Sequence, residues 1–225
     1  WTTQWGPTNR AEMVAHGSCA GKVFFELGQL EQAKSQCQQA LEISRRLGAR
    51  RFEPINYTIL ALTSGLEGDT AQAEKLAQTG VQISRETGMK FAGPMILGAL
   101  AAVTEDEDVR RDALAEGTAL LDEGCVSHNY FWFYRSAMDA MINAENWPDA
   151  VAFADAADDF IKEENIPWLA LMIERTRALA DFGVNGRRAT TIERVRKVSI
   201  RARELGFKVM LPALEDVLAG DTEVV

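Results

Sequence analysis

The side chains best suited to bind a ligand are Tyr134 and Arg135, at the end of an aromatic run that begins at Tyr130. A guanidinium group can hold a carboxylate through charge-assisted hydrogen bonds, and tyrosine offers a large contact area with a polar end. This neighbourhood therefore predicts a surface for an acidic or carboxyl-terminal segment. We expect replacement of Arg135 to weaken binding more than folding, unless Arg135 is an internal partner of Asp139, one turn on.

Equivalent positions recur along the chain, four and five residues after a leading aromatic residue. They are Asn56/Tyr57, Met95/Ile96, Tyr134/Arg135 and Met172/Ile173. Neighbouring side chains on a helix point about 100° apart, so the two members of a pair are not equally central. Glu174 and Arg177 either continue a polar stripe or pair with each other at i,i+3. The predicted ligand contacts are Asn56, Tyr57, Met95, Tyr134, Arg135, Glu174 and Arg177.

Two interpretations of the aromatic run YFWFY, residues 130–134, remain open. Five successive rings surround a whole helix, as expected when an inner helix is packed on several sides. Alternatively, one or two rings line a groove, and Tyr134 is then the best candidate.

Catalytic and metal-binding patterns are weak. The two histidines, His16 and His128, have no cysteine or carboxylate at metal-ligand spacing, and we predict structural roles for both. Glu105–Asp108 lacks the glycine and alternating ligands of a calcium loop, so these carboxylates are expected to cap a helix. The three cysteines, Cys19, Cys37 and Cys125, predict buried free thiols. The sequence thus predicts no catalysis, no metal and no cofactor.

Composition narrows the classes of partner. A net charge of −9 disfavours nucleic acid and anionic membranes. An odd number of cysteines favours a reducing compartment, and neither a membrane-spanning run nor a signal peptide is recognised, so we expect a cytoplasmic location. Because the chain starts at Trp1, we expect a piece excised from a longer protein.

Charge is unevenly distributed near the C-terminus. Arginines and lysines crowd residues 187–203, whereas aspartates and glutamates crowd residues 149–164. No aromatic platform accompanies the basic segment, which argues against nucleic-acid binding. We predict that the basic helix lies beside the acidic one.

The elements that position these residues follow from an internal repeat. Residues 28–48 and 68–88 align at an offset of 40, with identities that include Gln32/Gln72, Ala33/Ala73 and Ser44/Ser84. A fixed period of this size indicates stacked helix pairs. We predict an all-α right-handed solenoid over 1–225 as a single domain of about five pairs. The predicted pairs are 10–48, 49–88, 89–126, 127–165 and 166–206, with a closing helix over 207–220.

Local signals place the ends of about eleven helices, with no sheet. Gly48, Gly88 and Gly206 are expected to be left-handed C-caps. Pro54, Pro94 and Pro212 are expected in first turns, where a missing N–H costs nothing. Thr104 with Glu107 predicts a capping box. Ala33 and Ala73 are predicted at the tight crossing of each pair, because small side chains allow close approach.

The phrases ELGQLEQAKSQCQQALEISRRLG and LEGDTAQAEKLAQTGVQISRETGMKFAGP carry a resemblance to a known class of repeat. They resemble the tetratricopeptide-like C-terminal regions of bacterial class III adenylate cyclases and related multidomain ATPase regulators, with units longer than the usual 34 or so residues. The resemblance implies the regulatory or interaction end of a signalling enzyme. The chain itself has no G-x-x-x-x-G-K-[ST] motif.

Together, the repeat and the resemblance predict a non-catalytic interaction or regulatory scaffold. A protein or peptide segment, or another domain of the same chain, would lie in a concave groove lined by the first helix of each pair. Two alternatives stay open. One is a small-molecule sensor with a closed pocket between repeats; the other is a homodimerisation module that uses the aromatic run or the end helix.

Overall fold

The computed structural model describes residues 7–162 and 166–220, with side chains from Gly17 onward in these ranges. This part of the chain forms eleven α-helices and contains no strand, which confirms the predicted all-α class. The helices are α1 (Pro7–Glu26), α2 (Leu30–Arg46), α3 (Glu53–Leu66), α4 (Thr70–Thr87), α5 (Met89–Val103), α6 (Glu107–Asp122), α7 (His128–Asn143), α8 (Trp147–Phe160), α9 (Pro167–Asn185), α10 (Ala189–Leu205) and α11 (Leu211–Ala219). Short 3-10 turns, Arg50–Phe52 and Lys208–Met210, precede α3 and α11.

The helices belong to two compact units. Unit 1 comprises the residues up to Phe25 together with Gln29–Phe133. Unit 2 comprises Glu26–Gly28 together with the residues from Tyr134 onward. The division falls within α1 and α7, so each of these helices contributes to both units. The prediction of a single repeat domain over 1–225 remains a prediction.

In unit 1, α2 packs against α3, α3 against α4, α4 against α5 and α5 against α6, and α3 also packs against α5. Most residues of α3 and α5 are buried, because neighbouring helices cover them on several sides. A helix that is covered on several sides can carry apolar residues around its whole circumference, as α3 and α5 do over most of their length. Within the described ranges, no helix combines the length and the apolar character needed to cross a bilayer.

The two predicted alanine contacts are confirmed. Ala33 and Ala73 are both fully buried. A Cβ built on Gly21 of α1 would lie 3.6 Å from the Ala33 carbonyl oxygen, and one on Gly65 of α3 would lie 3.9 Å from Ala73 Cβ. Small residues on both helices therefore let the helices of each pair approach closely.

Helix ends follow the sequence signals in most places. Gly206 is left-handed, with φ 78° and ψ 12°, and Gly48 has φ 66°, whereas Gly88 ends α4 at φ 113° and ψ 110°, outside the left-handed helical region predicted for it. The start of α6 differs from the prediction. Its N-cap is Asp106, whose Oδ1 accepts from the backbone N–H of Asp108 at 2.9 Å and of Val109 at 3.1 Å. The acidic run thus caps a helix as expected, but a carboxylate makes the cap in place of the predicted threonine.

In unit 2, α8 packs against α9, α9 against α10, and α10 against α11. The basic helix α10 forms ion pairs, although its partners differ from those predicted. Arg201 pairs with Glu174 of α9 at 2.9 Å, and Arg196 pairs with Glu193 of its own helix at 2.9 Å. Asp155 and Asp158 of α8 pair instead with Arg177 of α9, the helix that packs against α8.

Candidate functional site

The predicted ligand contacts in unit 1 lie in its core. Asn56 and Met95 are fully buried, and Asn56 donates to the Phe52 carbonyl oxygen at 3.2 Å. Tyr57 is 7% exposed, and its hydroxyl accepts a hydrogen bond from Arg45 Nη2 at 2.8 Å. Counting from the leading aromatic residue thus selected positions that face neighbouring helices. This arrangement corrects the prediction that Asn56, Tyr57 and Met95 present a groove surface.

The predicted contacts in unit 2 divide between core and surface. Tyr134 is half-buried, with its ring centroid 6.4 Å from that of Phe160. Glu174 is exposed, and both of its carboxylate oxygens lie 2.9–3.0 Å from Arg201 Nη1. Arg177 donates to Asp155 at 2.6 Å and to Asp158 at 2.9 Å. Glu174 and Arg177 therefore brace adjacent helices, and the proposed i,i+3 pair between them is replaced by these contacts.

Arg135 is buried, contrary to the prediction of a hydrated groove arginine. Its Nε donates to Glu26 Oε1 at 2.9 Å, and its Nη1 lies 3.0 Å from Asp139 Oδ2. Asp139 Oδ1 accepts from Arg175 Nη1 at 2.7 Å, and Arg175 Nε donates to the Met210 carbonyl oxygen at 3.2 Å. We call Glu26, Arg135, Asp139 and Arg175 the charge chain. The internal partnership between Arg135 and Asp139, the alternative stated for Arg135, is the one observed.

The charge chain alternates in sign and is neutral overall. The side chains of Glu26, Arg135 and Arg175 are each less than a tenth exposed, and that of Asp139 is one-fifth exposed. Burial raises the pKa of the Glu26 carboxyl, while the nearby Arg135 guanidinium acts in the opposite direction. Burial also acts to lower the pKa of Arg135, but the carboxylates of Glu26 and Asp139 leave it raised. Arg135 therefore stays charged and needs these carboxylates as partners.

Unit 1 contains a neutral counterpart of the charge chain. It consists of the Asn129 side-chain amide and the backbone groups of Lys90, Phe91 and Met95 that the amide contacts, and we call it the amide clamp. Pro94 lies inside α5, and its missing N–H leaves the Lys90 carbonyl oxygen without its intrahelical donor. Val126 N donates to that oxygen at 3.3 Å, and Asn129 Nδ2 lies 3.4 Å from it. Asn129 Nδ2 also donates to the Phe91 carbonyl oxygen at 3.0 Å, and its Oδ1 accepts from Met95 N at 3.3 Å. This corrects the prediction that Pro94 falls in a first turn, because α5 begins five residues earlier.

The aromatic run serves mainly the core. Phe133 is fully buried and Trp132 is 7% exposed. The Tyr130 hydroxyl donates to the Leu121 carbonyl oxygen at 2.8 Å. A Cβ on Gly117 of α6 would lie 2.2 Å from the Phe133 ring, so this glycine makes room for the ring. The core interpretation therefore accounts for Trp132 and Phe133, whereas Tyr130, Phe131 and Tyr134 are each half-buried.

A second group of titratable side chains lies around Lys22 in unit 1. Lys22 Nζ is 5.7 Å from the Trp132 ring centroid, a cation–π distance. Burial lowers the pKa of Lys22 and raises the pKa of the Cys37 thiol to about 12. Burial, with a smaller contribution from the charge of Lys22, lowers the pKa of His128 to about 4. At neutral pH, Cys37 is thus a thiol and His128 an uncharged imidazole, as structural roles require.

The remaining sulfur and acidic groups do not form a metal centre in the described part of the chain, where no three suitable side chains come together. Cys125 Sγ donates to the Leu120 carbonyl oxygen at 3.0 Å. Cys19 is exposed, which corrects the expectation that all three thiols are buried. The side chain of His16 lies outside the described residues.

An open groove of about 280 Å³ lies on unit 1, over α5 and between α4 and α6. We call it the α4–α6 groove. Its floor is apolar and consists of Val81, Leu97, Leu100, Val109 and Ala113. Its rim is polar and consists of Gln78, Gln82, Arg85, Asp112 and Glu116. An apolar floor with a polar rim is the arrangement that binds an amphipathic segment.

The charged groups of the groove rim are paired. Arg85 Nη2 lies 3.0 Å from Glu116 Oε2, and Asp112 accepts from Arg111 at 3.1 Å. These pairs are exposed, so each contributes little to stability and can rearrange at small cost. The groove therefore offers an apolar contact area bordered by groups that can exchange partners when a ligand arrives.

The residues that matter most inside the units were not identified from the sequence. Glu26, Asp139, Arg175 and Asn129 carry the polar clusters, and only Asp139 entered the sequence argument. One signal was present: a proline five residues into a helix requires a donor for the carbonyl oxygen four residues earlier. No comparable local signal points to Glu26, since its partner is 109 positions away.

A scan against protein-family models found no family that matches this chain, and a search of curated proteins found no significant match.

Proposed function

We propose that this chain is a non-catalytic interaction module that receives a segment of a protein partner in the α4–α6 groove. Its helix pairs would stack as a right-handed solenoid, as the 40-residue repeat suggests. In this proposal the module acts in the cytoplasm as the regulatory end of a longer signalling protein of the adenylate cyclase type, and the partner is another protein or another domain of the same chain. Nucleic acid and membranes are not its ligands.

The observation that carries the proposal is the groove itself. Its apolar floor lies at the bottom of an open groove, where Val109 is half-buried and the other floor residues are each less than a tenth exposed. The predicted ligand contacts Asn56, Met95 and Arg135 do not line this groove. Exposed apolar surface rimmed by polar groups is typical of interaction sites. The sharp contrast between floor and rim favours a segment that places one or two apolar side chains inward and polar ones outward.

The test uses a photo-crosslinking amino acid at Gln82 on the groove rim, in the full-length protein produced in its own cells. The matched control places the same amino acid at Gln39, an exposed glutamine on α2. We expect a discrete protein adduct from position 82 and none from position 39. In a Val109→Lys background the adduct should disappear while thermal stability changes little, because Val109 is only half-buried.

Three other outcomes would count against the proposal. Equal adducts at both positions would indicate non-specific contact. An adduct at twice the mass of the chain would indicate self-association in place of partner binding. Persistence of the adduct in the Val109→Lys background would place the partner outside the groove.

A further inference from the structure

A second open pocket, of about 360 Å³, lies in unit 2 between the first turns of α8 and the last turns of α9. Its walls are largely apolar and include Trp147, Pro148, Val151, Ala180 and Val184. Val184 is 68% exposed, a high value for a large apolar residue. The pocket therefore presents apolar surface that the described residues of the chain leave uncovered.

The aromatic wall of this pocket is held in place by close packing. A Cβ built on Gly183 would lie 2.2 Å from Trp147 Cε2, so the indole ring rests directly on the backbone of α9. Trp147 is also the first residue of α8, followed by Pro148, whose ring fixes the backbone there. A ligand would meet this wall already formed, which reduces the entropic cost of binding.

The pocket contains one carboxylate, that of Asp181. Asp181 is half-buried and accepts a hydrogen bond from Asn185 Nδ2 at 2.7 Å. Among the described residues, no lysine or arginine lies within ion-pair distance of Asp181. By contrast, Asp155 and Asp158 of α8 both pair with Arg177. The pocket thus combines an aromatic wall, aliphatic surface and a negative charge to which the described residues supply no cation.

We propose that this pocket binds the side chain of an arginine supplied by a partner protein. The aliphatic stem would pack against Val184 and Val151, and the guanidinium group would reach Asp181 while its plane faces the Trp147 ring. Arginine suits this combination better than lysine, because its planar cation stacks on aromatic rings and donates two parallel hydrogen bonds to a carboxylate. The site is separate from the α4–α6 groove and does not depend on the function proposed for it.

The test compares two peptides that differ only in charge at the side-chain end. The 225-residue chain, labelled with ¹⁵N at its tryptophans, is titrated with acetyl-Ala-Arg-Ala-amide and with the same peptide containing citrulline, the neutral isostere of arginine. The Trp147 indole resonance is assigned by its loss in Trp147→Phe. We expect this resonance to shift with the arginine peptide, and the citrulline peptide to bind about fivefold more weakly, as for loss of a partly exposed ion pair.

Two variants locate the charge. Asp181→Asn should weaken the arginine peptide by about the same factor and leave the citrulline peptide unchanged. The control variant is Asp122→Asn, which replaces an exposed aspartate on α6 of unit 1. It changes the net charge by the same amount and should leave the affinities for both peptides unchanged. Equal affinities for arginine and citrulline on the unaltered chain, or an indole resonance that does not move up to the solubility limit, would overturn the proposal. If Asp122→Asn weakened binding of the arginine peptide as much as Asp181→Asn does, the peptide would be attracted by the overall charge of the chain and not by this pocket.

Discussion

The amide clamp of unit 1 and the charge chain of unit 2 are both buried polar clusters. The amide clamp is neutral, whereas the charge chain carries full charges. Asn129 binds mainly backbone groups of α5, at distances of 3.0–3.4 Å. The charge chain links side chains to side chains, with Arg135 between Glu26 and Asp139. The partners of Asn129 are therefore backbone groups, whatever the side chains at those positions. The partners of Arg135 are particular side chains, which a substitution can remove.

This difference has an energetic consequence. A backbone carbonyl or N–H cannot be removed by substitution, so the buried backbone groups that Asn129 contacts still need partners when Asn129 is replaced. The attraction within a buried ion pair must offset a large desolvation penalty. Replacing both partners by apolar residues removes both terms and is therefore often tolerated. We therefore expect the two clusters to respond alike to single substitutions and differently to paired ones.

The largest effect is expected for Arg135→Met, which should lower the free energy of unfolding by about 3–5 kcal/mol. The substitution keeps most of the side-chain volume but leaves two carboxylates without their shared cation. Urea denaturation of the variant and of the unaltered chain gives the difference. Arg194→Met, on the exposed face of α10, is the control and should change stability by less than about 0.5 kcal/mol. A small effect at position 135 would return Arg135 to the set of ligand-binding candidates.

The next effect is expected for Asn129→Leu, at about 2–4 kcal/mol, because the Phe91 carbonyl oxygen and the Met95 N–H lose their side-chain partner and the Lys90 carbonyl oxygen keeps only its contact with Val126 N. The same denaturation experiment measures it, with the exposed Asn143→Leu at the end of α7 as the control. Adding Pro94→Ala to Asn129→Leu should recover part of the loss, since the Lys90 carbonyl oxygen regains an intrahelical donor. If Pro94→Ala brings no recovery, the clamp does not act through the proline.

A double substitution sharpens the comparison. Glu26→Leu combined with Arg135→Met removes one charge of each sign, while Asp139 keeps its contact with Arg175 at 2.7 Å. We expect the double variant to be more stable than Arg135→Met alone, by about 0.5–3 kcal/mol of coupling. A double-mutant cycle of unfolding free energies measures this term. Additive losses would mean that Glu26 and Arg135 do not depend on each other.

The smallest effect concerns pH and His128 in unit 1. Its pKa is lowered from 6.5 to about 4 in the folded chain, mainly by burial. Between these pH values the unfolded chain binds more protons, so His128 makes stability fall as the pH is lowered from 6.5 towards 4. The variant His128→Gln should flatten this part of the stability profile. A two-dimensional NMR titration, with the resonance assigned by that variant, should show no protonation of His128 above pH 6; titration near pH 6.5 would contradict the burial argument.

Several features of the fold could be predicted from the sequence because they depend on local signals. The glycines at 48, 88 and 206 end helices through their own backbone freedom, and the alanines at 33 and 73 mark close contacts in a repeated unit. The helical class follows from continuous helical periodicity. Candidate sites were less predictable, because the side of a helix that faces a groove depends on where the neighbouring helices lie.

What the sequence by itself determined is therefore the helical class, the repeated pairs and the ends of most helices, since each results from interactions within a few turns of chain. Only the tertiary structure decided that Arg135 is buried between Glu26 and Asp139. It also decided that Asn129 contacts the carbonyl oxygen that Pro94 leaves without its intrahelical donor. Finally, it placed Asp181 in the same pocket as Trp147, with no cation among the described residues. Except for Arg135 and Asp139, which are one helical turn apart, these pairings join positions tens of residues apart or more. Their free energies depend on burial and distance, which a sequence pattern does not contain.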